Sequence, residues 1–192
     1  MKKSIIAFLI VVGLMATPQM VMGEEYLIDT KGSHAAIQFK IPHLGYSWLV
    51  GRFNTFEGSF SYDEKNPAAS RVNITIDTAS IDSNHAKRDK HLRGKDFLEV
   101  IKYPKATFVS TSFEPKGNGA ATLKGEFTLH GVTRPIEIEV KEVGAGKDPW
   151  GGFRRGFEGT TRFALSDYDI NFDLGPASKE VDLYLTVEGK RQ

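Results

Sequence analysis

Apolar and polar residues alternate with a period of two along almost the whole chain beyond residue 25, as strands with one buried and one wet face require. Ile37, Phe39 and Ile41 oppose Gln38 and Lys40, and Phe56, Gly58, Phe60 and Tyr62 oppose Glu57, Ser59 and Ser61. The spacing recurs at Val72, Ile74 and Ile76, at Leu123 to Leu129, and at Ile136, Ile138 and Val140. It returns from Phe157 to Leu165 and from Val181 to Val187, while Ala106 to Phe113 reads as a strand of unclear face. Some eight or nine strands follow. One-sided alternation fits antiparallel pairing, because strands of a parallel sheet are apolar on both faces. Asn66-Pro67, Lys116-Gly117-Asn118-Gly119, His130-Gly131 and Gly144-Ala145-Gly146 supply the turns.

One stretch breaks the rhythm. Ser83 to Arg93 is polar, lacks β-branched residues and stops at Gly94, which predicts a helix with a glycine at its C-terminus. Asp96 and Glu99 form a capping-box-like start for a second short helix over 97–102, ended by Tyr103-Pro104. The helical excursion is either a solvated face held by local ion pairs, a plug for one barrel end, or a mouth where Arg88 or His91 meets a ligand headgroup. Asp167 to Asp173 superficially resembles a calcium loop. Phe172 stands where such a loop needs glycine, and alternation of Tyr168, Ile170, Phe172 and Leu174 predicts a strand instead.

Strands joined by short turns must hide their edges, and at about eight strands a closed barrel either fills with side chains or holds one small ligand. Gly58, Gly125 and Gly159 fall on the apolar face among Phe and Leu. They serve as bending points, as hollows for a long slender guest, or both. A lumen walled by Phe39, Phe60, Ile74, Phe108, Phe127 and Phe163 offers little to a polar metabolite and suits an acyl or isoprenoid chain. His43-Leu44-Gly45-Tyr46-Ser47-Trp48 is a second candidate mouth, with Trp48 where apolar space meets water.

Location and composition narrow the choice. Lys2 and Lys3 precede an apolar run from Ile5 to Met15, and Val21-Met22-Gly23 offers a cleavage site. The run is shorter than the roughly 20 residues of a membrane-spanning helix. We therefore expect residues 1–23 to be a cleaved signal and residues 24–192 one exported domain. That domain carries 23 basic and 24 acidic residues, a balance that argues against a nucleic-acid partner. Cysteine is absent, which removes disulfides, thiolate metal sites and thiol nucleophiles. The five histidines show no metal-binding spacing, and no serine sits in a G-x-S-x-G elbow, so neither a metal nor a catalytic group is expected.

The quoted mouth, Asp63-Glu64-Lys65-Asn66-Pro67-Ala68-Ala69 and Asn84 to Arg93 resemble corresponding segments of the YceI family of exported bacterial proteins. So do Phe97-Leu98, Tyr103-Pro104, Leu129 to Pro135, Asp148 to Gly152 and Asp173 to Ser178, in that order and across the whole mature chain. The resemblance implies an all-β, extended antiparallel eight-stranded lipocalin-like barrel with a short helical insertion. It implies a periplasmic protein that binds an isoprenoid or quinone-like lipid without catalysis. The G-x-W of true lipocalins is not matched; Gly45-Tyr46-Ser47-Trp48 is the nearest analogue. Two other readings remain: an enzyme acting on bound lipid through His91 with Asp89 or Asp96, and a stress-response interaction protein with an incidental cavity. A homodimer through an exposed sheet edge is compatible with all three.

Overall fold

The computed structural model describes residues 23–192, so the expected signal segment falls almost entirely outside the described residues. Eleven strands lie in one antiparallel sheet: β1 (Glu24–Ile28), β2 (Ala36–His43), β3 (Ser47–Phe53), β4 (Phe56–Tyr62), β5 (Arg71–Asp77), β6 (Ile81–Asp82), β7 (Lys105–Gly117), β8 (Ala120–Leu129), β9 (Val132–Lys147), β10 (Phe153–Ala164) and β11 (Glu180–Arg191). The single α-helix among the described residues, α1 (Ala86–Leu92), joins β6 to β7.

Eleven segments make eight staves because three long strands are interrupted. β11 pairs with β1 through Gly189 to Arg191 and with β2 through Asp182 to Thr186, so β1 and β2 run end to end beside it. β3 and β4 pair in turn with β2 and β1, and β6 and β5 with β3 and β4. From β5 onward every stave pairs with its successor, and β1 against β11 closes the ring. The result is an up-and-down eight-stranded barrel, which leaves no free edge where it closes. Closure is incomplete toward the helix: β6 pairs with β3 only at Arg52 and Phe53.

The unclear face of 106–113 has a physical cause. A bulge between Ser110 and Ser112 switches parity, so Ala106, Phe108 and Ser110 are buried, followed by Phe113 instead of Ser112. Two expectations fail. Residues 97–102 form turns, not a second helix: Glu99 takes a left-handed φ of 42°, and Asp96 accepts from His91 Nε2 at 2.7 Å instead of capping. Residues 167–174 are not a strand either, since a 3-10 turn over Leu165–Tyr168 ends at left-handed Asp169, φ 56°. That turn drives Tyr168 and Ile170 into the barrel end, where both are buried. Burial beats the local alternation.

Inward glycines act as floors for aromatic rings from neighbouring strands. A Cβ on Gly125 would overlap the Phe108 ring and the Val109 carbonyl, and one on Gly51 would overlap Phe39. Gly189 likewise receives Phe60, which stacks on Tyr26 at 4.8 Å. Gly125 therefore makes room for a ring and not for a void. Gly58 is closely approached by the Asn73 carbonyl and by Ile28 and Ile74, and Gly159 by Ile138 and Val140.

Candidate functional site: a two-chambered lumen

The inward faces of the staves enclose two chambers along the barrel axis. The far chamber, away from the helix, has a volume of about 100 Å³ and is walled by Phe60, Ile74, Phe108, Phe113, Ile138 and Phe157, among other apolar side chains. The helix-end chamber is wider, about 350 Å³, with walls that include Phe39, Leu49, Phe53, Phe163, Phe172 and Leu174. Ile37, Ile76, Phe127 and Leu183 line both and form the waist between them. Burial of their apolar surface holds the barrel together, and the same surface would receive an apolar chain.

Of the residues singled out from sequence, Phe60, Ile74 and Phe108 lie in the far chamber and Phe39 and Phe163 in the helix-end chamber, with Phe127 at the waist. Arg88, His91 and Leu92 of α1 complete the helix-end wall. Trp48 lines neither chamber. Its strand parity is opposite to that of Leu49 and Phe53, so it stands on the outer face, 53% exposed, with Lys40 Nζ 4.5 Å above its ring. The mouth segment reaches the lumen through His43 and Leu49 instead.

The polar groups of the helix end are engaged locally. Arg88 donates from Nε to Ser83 Oγ at 2.7 Å and from Nη2 to the Ser83 carbonyl at 2.6 Å. Buried Asp89 accepts from the Ser83 amide and hydroxyl. Burial raises the Asp89 carboxyl, but these hydrogen bonds outweigh it and hold the group below its usual value. Asp89 is thus not the partner of His91, whose ring packs edge-on to Phe97 and Phe172 while bonded to Asp96. Tyr168 closes the floor against Phe127 and Phe163, and burial pushes its phenol up to about 12.

The far end holds a site that sequence reasoning missed. Arg155 is 2% exposed, lies 4.3 Å over the Tyr62 ring, and is paired with Glu142 and Glu64. Parity already carried the signal: Arg155 is two residues before Phe157, and Glu142 two after Val140, on the faces that alternation assigns to the lumen. On the same end, Asp29, His34 and Glu188 gather within ligand distance of one another. Arg154 and Lys190 already contact the Asp29 carboxylate, and Arg154 also pairs with Glu188, so this is an ion-pair knot.

A closed antiparallel barrel with an apolar, partly hollow axis belongs to the lipocalin-like class, whose architecture surrounds a guest with side chains from every strand. A family model for the YceI-like domain matches residues 26–189, and the chain belongs to that family. A UPF0312 protein of Shewanella sp. (strain MR-7) is 56% identical over 192 residues, covering 100% of both chains. The YceI protein of Campylobacter jejuni superposes with a TM-score of 0.69 at 26% identity, over 79% of this chain and 90% of that one. BcnA of Burkholderia cenocepacia reaches 0.76 at 21% identity, over 84% and 98%. A polyisoprenoid binding domain from Saccharophagus degradans reaches 0.64 at 15% identity, over 87% and 98%. The last two likenesses concern the fold.

Proposed function

We propose that this chain binds an isoprenoid or other long-chain amphiphile, quinone-like lipids included, inside the barrel and acts as a periplasmic carrier or reservoir without catalysis. The observation that carries the reading is the pair of apolar chambers joined at the Phe127 waist. Each methylene moved from water into such a lumen contributes about 0.8 kcal/mol, and a preformed cavity avoids much of the ordering cost. The polyisoprenoid binding named for the Saccharophagus domain is consistent with that use of the shared fold. Non-catalytic action is supported by how the polar side chains are used: Arg88 and Asp89 hold Ser83, and among the described residues His91 bonds to Asp96 alone.

The test is gentle purification from native periplasm followed by solvent extraction and mass spectrometry. A stoichiometric isoprenoid is the expected result; no lipid bound, and none taken up on incubation, overturns the proposal. The variant Phe127→Glu places a charge at the waist and should lose the lipid. Wild-type retention by a folded variant would remove the waist from the binding path.

A further inference from the structure

The far chamber is walled by apolar side chains together with Tyr62, Ser61, Ser70 and Glu158, and of the last three only Ser70 is buried. Ser70 is 3% exposed and lines that chamber, and its hydroxyl has no hydrogen-bond partner in the protein. Nothing in the fold needs this hydroxyl: the turn before β5 is held by the Ser70 amide, which donates to the Pro67 carbonyl at 3.0 Å. The register of β4 on β5, with Ser61 opposite Arg71, sets Ser70 across from Tyr62. Arg155 lies over that same ring, and its Nε is a second buried donor without a partner. Two unmet donors thus flank one aromatic ring, Ser70 on the chamber wall and Arg155 over the ring outside the chamber lining, and each is costly unless something accepts from it.

Charge decides what that is. Arg155 is the cation over the Tyr62 ring, and Glu142 and Glu64 already neutralise it, while the Arg71 guanidinium is turned onto the Ala69 and Ser70 carbonyls. A carboxylate or phosphate brought here would meet an Arg155 already paired with two carboxylates and would set a further negative charge beside them, in a setting where unpaired charge is strongly disfavoured. A neutral oxygen meets no such barrier. We infer that the far chamber is a headgroup site: a neutral acceptor oxygen on a long-chain ligand, such as an alcohol, phenol or quinone carbonyl, takes the Ser70 Oγ hydrogen beside Tyr62 and Arg155. The chain then runs through the waist into the wider helix-end chamber, and the barrel discriminates against prenyl phosphates and fatty acids of equal length. This rests on the lumen being the lipid site.

The experiment compares probes of one chain length on delipidated full-length mature protein: geranylgeraniol, a menaquinone with a four-isoprene side chain, geranylgeranyl monophosphate, and headless phytane. Affinities are read by displacement of a fluorescent lipid. The alcohol and the quinone should bind at least tenfold more tightly than the phosphate. Ser70→Ala should reduce alcohol and quinone affinity several-fold while leaving phytane unchanged. Because the lost hydroxyl has no protein partner, the empty variant should melt no lower than wild type. Equal binding of phytane and geranylgeraniol to wild type would mean that water satisfies Ser70, and would overturn the headgroup site while the lumen stands. Tightest binding of the phosphate would overturn the charge argument. Failure of all four probes, phytane included, would instead sink the lumen reading.

Discussion

The two ends of this barrel are closed by different physics. At the helix end, one turn-rich crossover and the segment after β10 fold over the opening, and the closure is mostly rings: Phe97, Phe172, Phe127, Phe163 and Tyr168 in edge-on and tilted contact. The charges there are used locally, with Arg88 on Ser83 and His91 on Asp96. At the far end no helix among the described residues covers the opening. A buried arginine does so instead, held by carboxylates from β9 and from the β4–β5 turn. An apolar cap is strong in area and tolerant of exchange. A buried ion pair is poor in net energy but intolerant of losing one partner. The barrel therefore has one forgiving end and one brittle end.

Removing the cation of the brittle end should have the largest effect. Arg155→Met leaves Glu142 half-buried without its partner. It should cost about 3 kcal/mol, the low side of the range for breaking a buried pair because Glu64 is largely in water. Arg88→Met at the forgiving end should cost about 1 kcal/mol, since its acceptors are neutral Ser83 groups. Urea unfolding of both variants checks the ordering; equal losses would erase the distinction. Adding Glu142→Gln to Arg155→Met should recover part of the loss.

Gly125→Ala sharpens the contrast from inside the lumen. The added methyl collides with the Phe108 ring and the Val109 carbonyl, so about 1–3 kcal/mol of overpacking is expected, with less lipid taken up by the far chamber. An unchanged melting temperature would show that Phe108 can swing away.

Acid should also weaken the far end. Burial raises the Asp29 carboxyl, but hydrogen bonds from His34, Arg154, Lys190 and the Gly32 amide outweigh it and hold the group well below the carboxylate range. Its folded value is thus depressed, so its contribution is complete above about pH 4, the unfolded value, and is lost as pH falls toward the folded one. Unfolding midpoints should drop below about pH 4, and Asp29→Asn should flatten that drop. The smallest effect belongs to Tyr168→Phe, which deletes a buried phenol oxygen with no partner. Stability should stay level or rise by about 1 kcal/mol; a clear loss would reveal a partner for that hydroxyl.

Much of the lumen is legible in the sequence. Alternation turns Phe60, Phe127 and Phe163 inward, and all three line the chambers. Trp48 has the amphipathic chemistry of a mouth residue, but its parity sets it opposite Leu49, on the outer face. Arg155 went unnoticed for the converse reason: its parity pointed inward while its charge argued for water. The approach of Glu142 from the neighbouring strand and of Glu64, distant in sequence, makes its burial tolerable.

The sequence by itself determined where most of the strands lie and which side of the regularly alternating ones faces the axis, because a period of two allows one inward set and a slip of one residue would turn it to solvent. Tertiary structure alone decided the rest. β11 divides its edge between β1 and β2, a bulge at Thr111 resets the face of β7, and burial converts the alternating run around Tyr168 into a turn. These outcomes depend on contacts between residues far apart in the chain, and local pattern carries no information about which distant group will be there to pair.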